Sequence, residues 1–255
     1  MREFLYFVYD GIKSSDMGVT SVSTNSGLFE ETFVANKTIN EEKIRGRTKP
    51  YFMGTDREPL EFPLTLWFEN GFDNEKLRSI KRWLDQDLYK EFYFPEQNER
   101  RYFCMMYGDS TIHHNGVGEG YFQITMRCND SFVYSPLYID DWIDFSNNPS
   151  NGTEITFENK GDVELKPELF IEKIGNGDIS ITNYTDNGNI FELRNLYNGE
   201  IVYVDNENEE IESDIPGVYR YSDHNDVFLN FPFGVNRLLI KGKCKLQFRY
   251  RFKFK

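Results

Sequence analysis

Apolar and polar residues alternate along most of this chain, and the period lengthens to that of a helix in one convincing place. Residues 4–9 are apolar and aromatic up to Asp10-Gly11, a turn signal that Ile12 follows. Residues 19–22 and 28–34 read as further strands. Residues 60–68 put Phe62, Leu64, Leu66 and Phe68 on one face of another strand. The helix is expected near 74–89. Leu77, Ile80, Leu84 and Leu88 form its stripe, Trp83 stands at the edge, and Asp73 or Asn74 caps it. Lys76, Arg78, Lys81 and Arg82 occupy its other faces, where solvation is the ordinary role of such charges. A short strand at 91–94 stops at Pro95. Residues 102–107 and 121–128 form an antiparallel pair around a Gly-rich tip, His113-His114-Asn115-Gly116-Val117-Gly118.

Between the early strands and residue 60 the alternation weakens. Residues 37–59 are polar and hold a basic cluster, Lys43, Arg45, Arg47 and Lys49, followed by Tyr51-Phe52-Met53. Long irregular segments in compact domains usually have a task, so this stretch reads as an arm or wide hairpin. Ser135-Pro136 breaks the pattern again and a turn-rich linker follows at 146–152, which divides the chain into 1–136 and 137–255. The second part shows turn signals about every ten residues with short apolar runs between them, the spacing of an all-β sandwich. The chain closes on a two-faced strand from Lys241 to Lys255. Leu246, Phe248, Tyr250, Phe252 and Phe254 lie on one side, and seven cations from Lys241 to Lys255 on the other. Acidic neighbours near Glu192 or Glu200 are expected to compensate those cations.

Composition sharpens the picture. Alanine occurs once, at Ala35, while 16% of the 255 residues are aromatic, which disfavours a helical protein and suits strands. The formal net charge is −13. Phosphate attraction needs an excess of Lys and Arg, so neither nucleic acid nor an anionic membrane is an expected partner. Acidity is uneven: residues 137–236 carry 5 basic and 21 acidic side chains, and residues 237–255 carry 8 basic and none acidic. No apolar run reaches the length that spans a bilayer, and the N-terminus lacks the pattern of a signal peptide, so synthesis in a cytoplasm is expected. Cys104, Cys128 and Cys244 are odd in number and far apart, and read as buried thiols.

Candidate chemistry is sparse. His113 and His114 are adjacent and point to opposite faces of a strand, and no CxxC or HxxxH spacing exists, so no metal site is expected. There is no G-x-S-x-G elbow and no phosphate-binding loop, so neither a catalytic residue nor a cofactor is expected. Asp140-Asp141-Trp142 could be imagined as a glycosidase pair. With 42 carboxylates in the chain, chance pairs are common, and a domain-boundary surface with a buried tryptophan is the stronger reading. The acidic run 205–210 lacks the central Gly and ligand spacing of a calcium loop.

The order of these pieces resembles a known family. It runs through Arg45-Gly46-Arg47, Arg57-Glu58-Pro59-Leu60-Glu61-Phe62-Pro63-Leu64, Ile80-Lys81-Arg82-Trp83-Leu84, Tyr93-Phe94-Pro95, Gly120-Tyr121-Phe122-Gln123-Ile124 and Ser135-Pro136. Gly177-Asp178-Ile179-Ser180-Ile181-Thr182-Asn183, Leu193-Arg194-Asn195-Leu196, Asn198-Gly199-Glu200 and Phe233-Gly234-Val235-Asn236-Arg237-Leu238 follow. This is similar to the distal tail protein of long-tailed bacteriophages, over nearly the whole chain. One departure stands out: the family's Pro-Gly before the Asn reads Pro232-Phe233-Gly234-Val235-Asn236 here.

The resemblance implies a mainly β chain. Its N-terminal barrel- or sandwich-like domain carries one principal helix and closes a homo-hexameric ring. A galectin-like β-sandwich follows. The implied partners are other copies, the major tail tube protein, the tail-associated hub or lysin protein, and receptor-binding or baseplate proteins. The implied place is the tail tip of a virion assembled in the host bacterial cytoplasm, and the implied role is structural. On this reading Lys43, Arg45, Arg47, Lys49, Tyr51 and Phe52 make intersubunit or tube contacts. Two other function classes draw on the same chain. A carbohydrate-binding sandwich would use surface aromatics such as Trp142, Tyr184, Tyr197, Tyr219 and Tyr221. A hydrolase of a cell-surface polymer would rest on the acid pairs alone.

Overall fold

A computed structural model of the protein describes residues 5–22 and 35–255. The strand expected at 28–34 lies outside the described residues. Two compact units follow one another in the chain, the second covering Ser135–Phe254.

The first unit holds β1 (Val8–Tyr9), β2 (Ile12–Lys13), β3 (Val19–Ser21), β4 (Lys37–Glu42), β5 (Tyr51–Arg57), β6 (Glu61–Phe68), α1 (Asn74–Leu84), β7 (Lys90–Tyr93), β8 (Tyr102–His114), β9 (Gly120–Cys128) and β10 (Val133–Tyr134). Its main sheet has the order β2-β1-β7-β8-β9-β6-β3, with antiparallel neighbours throughout. The Ser21 N–H donates to the Leu5 carbonyl at 2.9 Å, so the sheet curls until β3 at one edge meets the segment leading into β1. Period-two alternation drives the inside: Leu64, Leu66, Phe68, Phe122, Ile124 and Met126 are buried on one face.

Helix α1 covers that interior with Ile80, Trp83 and Leu84. The Asp73 carboxylate accepts from the Lys76 N–H at 2.8 Å, the N-cap expected from its position. Trp83 stacks on Phe7 with 5.6 Å between ring centres, and its indole N–H donates to the Tyr9 carbonyl at 3.0 Å. The helix is shorter than the expected 74–89. It ends at Leu84, and Leu88 is 69% exposed. Asp85 leaves helical backbone at φ −84° and ψ 83°, and the chain turns back to begin β7 at Lys90. Lys76 also departs from the solvated role. Its ammonium donates to the carbonyls of Glu69 and Gly71, at 2.7 and 2.8 Å, and ties the helix start to the preceding loop. Strand β8 runs on to His114 past an irregularity between Tyr107 and Thr111 and is longer than the expected 102–107.

The second unit holds β11 (Tyr138–Ile139), β12 (Ile143–Asp144), β13 (Thr153–Asn159), β14 (Glu168–Lys173), β15 (Gly177–Asn183), β16 (Asn189–Leu196), β17 (Ile201–Asp205), β18 (Glu210–Ser213), β19 (Gly234–Lys241), β20 (Cys244–Tyr250) and β21 (Lys253–Phe254). One sheet has the order β11-β20-β14-β17-β18, with β12 also on β20, and the other β13-β19-β15-β16. Leu169, Ile171, Val202, Val204, Leu246 and Phe248 from the first pack with Phe157, Ile179, Ile181, Phe191, Leu193, Leu238 and Ile240 from the second, as a β-sandwich requires.

The expected single strand from Lys241 to Lys255 is divided. β19 ends at Lys241 in one sheet and β20 begins at Cys244 in the other. Gly242 makes the crossing at φ +92°, where a Cβ would run into the Asp178 carbonyl. The compensating acids also differ from those expected. Arg249 pairs with Glu168, Lys245 with Glu172 at 3.0 Å and Lys253 with Glu207 at 3.0 Å. Glu192 and Glu200 serve other cations, Arg194 and Arg220. Register decides this, because Glu168 and Glu172 lie directly across from Arg249 and Lys245.

Candidate functional site

The arm is a hairpin with a sheet of its own. β4 and β5 pair from Lys37↔Arg57 to Glu42↔Tyr51, and the register slips between Asn40 and Glu41, leaving Met53 as the extra residue. Thr38, Ile39, Tyr51, Phe52 and Thr55 are residues that suit extended backbone. No residue of either strand is buried, and no third strand joins them among the described residues. An isolated two-stranded hairpin is marginal in water. Its exposed side chains are nevertheless large and apolar: Ile39, Ile44 and Tyr51, with Phe52 and Met53 each 69% exposed.

The loop joining the strands carries the basic cluster. Residues 37–57 hold six basic and three acidic side chains in a chain that is acidic overall. Lys43, Arg45 and Lys49 are exposed and have no ion pair among the described residues. Arg47 is held locally. Its guanidinium lies 5.1 Å from the Tyr51 ring centre and donates to the Tyr51 hydroxyl. Tyr51 thus stiffens the loop, while Phe52 and Met53 present free apolar surface. Four cations beside exposed aromatic and aliphatic groups can bind a surface that is acidic and partly apolar.

The aromatics considered for sugar stacking are exposed but scattered. Tyr184 follows the end of β15 and lies 5.9 Å from the Arg237 guanidinium; Tyr197 follows the end of β16 and lies 4.9 Å from that of Arg220. β15 and β16 are antiparallel. These two tyrosines therefore stand at opposite ends of one hairpin, roughly 20 Å apart at about 3.3 Å per residue. Trp142 sits between β11 and β12, beside the other sheet, and is 41% exposed instead of buried as expected, because it lies in the short link between two two-residue strands. The three do not form one platform. His113 stacks on Tyr121 at 4.8 Å and His114 meets Phe72 edge-on at 5.8 Å. Among the described residues no three His, Cys, Asp or Glu converge as a metal site would need.

A buried ion pair escaped the sequence reading. Arg220 and Glu200 meet at 2.6 Å with side chains 4% and 0% exposed. Burial pushes the Glu200 carboxyl up, but donation from the Arg220 guanidinium, the Tyr197 N–H and the Ser213 hydroxyl outweighs it and holds the group below the usual glutamate range. Arg220 also reaches Asp223 at 2.9 Å. The network pins the 214–224 segment to the sandwich. Nothing local in the sequence announces it, because the partners are 20 residues apart.

Comparison with known proteins agrees with this architecture. A family model described as a phage tail protein N-terminal domain matches residues 2–130, and one described as a phage tail C-terminal domain matches residues 139–250. The SPbeta prophage-derived uncharacterized protein YomH of Bacillus subtilis (strain 168) is 33% identical over 254 residues, covering 100% of this chain and 99% of the relative. Among solved structures, the SPP1 Dit (gp 19.1) protein superposes with a TM-score of 0.69 at 13% identity, over 97% of this chain and 98% of that one. A chain of the phage P2 baseplate in its activated conformation with Ca gives 0.55 at 10% identity, over 97% of each. The chain belongs to this phage tail protein family, and its fold is that of the Dit hub protein.

Proposed function

We propose that this phage tail protein is the distal tail protein of its virion, forming a hexameric ring that joins the tail tube to the hub and baseplate components below. The first unit closes the ring and the second faces the baseplate or receptor-binding proteins. The role is architectural, exerted by assembly and not by catalysis, and assembly takes place in the host bacterial cytoplasm. The fold likeness to SPP1 Dit, described as a paradigm of the hub adsorption apparatus in phages infecting Gram-positive hosts, supports the reading.

The observation that carries the proposal is the arm. A hairpin with no buried residue, exposed Phe52 and Met53, and Lys43, Arg45 and Lys49 without ion pairs has little to stabilise it among the described residues. A ring interface is heterologous, so each copy needs a projecting patch that is complementary to a different patch on the next. The arm supplies the projecting half, either for the neighbouring copy or for the tube protein. The test is the mass of the purified chain in solution together with negative-stain images. Six-fold rings are expected. A monomer at every concentration, and also in the presence of the tail tube and hub proteins, would overturn the proposal.

A further inference from the structure

Cys104 on β8 and Cys128 on β9 stand directly opposite each other in the main sheet of the first unit. Their neighbours set the hydrogen-bond phase. The Asn129 N–H donates to the Phe103 carbonyl at 2.9 Å, so the opposed pair 103 and 129 is a hydrogen-bonded one. Antiparallel ladders alternate, which makes 104 and 128 a non-hydrogen-bonded pair. The Cys128 N–H agrees with this phase: it donates to the Leu60 carbonyl at 2.8 Å, towards β6 and away from β8. Non-hydrogen-bonded partners bring their Cα atoms to about 4.5 Å. That lies within the roughly 4.4–6.8 Å that disulfides span, at its short end. Both side chains point to the buried face, with exposures of 0% and 1%, and both thiols are free.

We propose that Cys104 and Cys128 are an oxidative modification site: with a low-molecular-weight disulfide as oxidant they close a cross-strand disulfide that ties β8 to β9. One cysteine sulfur attacks the oxidant, whose S–S bond breaks and releases one small thiol. The second cysteine sulfur then attacks the mixed disulfide, forming the Sγ–Sγ bond and releasing the second small thiol. Two protein thiols are oxidised, the oxidant is reduced to two thiols, and the two protons leave on them. Burial pushes both thiols up, Cys128 to about 12, so the closed sheet holds little thiolate at neutral pH. Reaction therefore proceeds through transient opening of the strand pair and is slow. A bond at the short end of the allowed span is more readily reduced than an unstrained one. The chemistry does not depend on the ring. Its biological setting, a chain made in a reducing cytoplasm and used outside it, rests on the function proposed above.

The full-length chain is incubated with glutathione disulfide in excess over glutathione, then unfolded and its thiols titrated. The count is expected to fall slowly from three to one, the mass to drop by about 2 Da, and peptides carrying Cys104 and Cys128 to be linked. Cys244→Ala should go from two thiols to none with an intrachain link, whereas Cys104→Ala should form no intrachain link, and any thiol it loses should be recovered as a mixed disulfide with glutathione. The linked chain should melt at a higher temperature than the reduced one. Three free thiols after an incubation long enough for the backbone amides of β8 and β9 to exchange fully with solvent, which shows that the strand pair has opened, would overturn the proposal. Linkage through Cys244 or between chains would do so too.

Discussion

At the level of single residues, Arg220 and Glu200 are the sharpest commitment in the second unit. Removing one partner leaves a buried charge unpaired, which typically costs about 3–5 kcal/mol. Arg220→Met should therefore lower the denaturation midpoint strongly, whereas Arg237→Met, whose side chain is 62% exposed beside Glu154, should change it by less than about 1 kcal/mol. Acid gives a second readout. The folded-state value of Glu200 is depressed, so its contribution is complete above the ordinary glutamate value of about 4.3 and is lost as the pH falls toward the folded value. Stability of the native chain should decline through that window, and Glu200→Gln should decline less steeply from a lower starting point. Equal slopes in acid titrations followed by fluorescence would contradict the assignment. The sequence showed both residues but not their meeting, because that contact depends on how the 214–224 segment folds back.

Among the elements, the arm and β20 make opposite predictions. No residue of either arm strand is buried. Replacing Lys43, Arg45, Arg47 and Lys49 together with Ser should leave the melting temperature nearly unchanged and impair ring formation. Normal rings and normal tail joining with that variant would remove the arm from the interface. β20 lies in the middle of its sheet between β14 and the pair β11 and β12, with Leu246 and Phe248 at 0% and 1% exposure. Phe248→Ala should cost about 3–5 kcal/mol. Deleting 241–255 should abolish the cooperative transition of the second unit, and a truncated chain with an unchanged melt would show that β20 is dispensable. Period two marked β20 as extended in the sequence, whereas the arm stood out by weakened alternation, polar composition and its basic cluster. Neither signal says how many strands flank an element, which is what separates an exposed hairpin with a sheet of its own from a central strand.

At the scale of the whole molecule, each unit has its own core, so residues 135–255 expressed alone should give a β-dominated circular dichroism spectrum and a single cooperative melt. A spectrum without β structure would mean that this core is not sufficient. The sequence by itself determined the strand-rich class, the one α-helix among the described residues and the concentration of cations in the arm. These follow from nearest-neighbour preferences and from periodicity, which act within a few residues. The tertiary structure alone decided where α1 stops, where the last strands change sheet, which carboxylates neutralise Arg249 and Lys245, and that Cys104 faces Cys128. Each of these is a matter of register or coverage between segments distant in sequence, and a shift of one residue along a strand would turn every such contact to the other face.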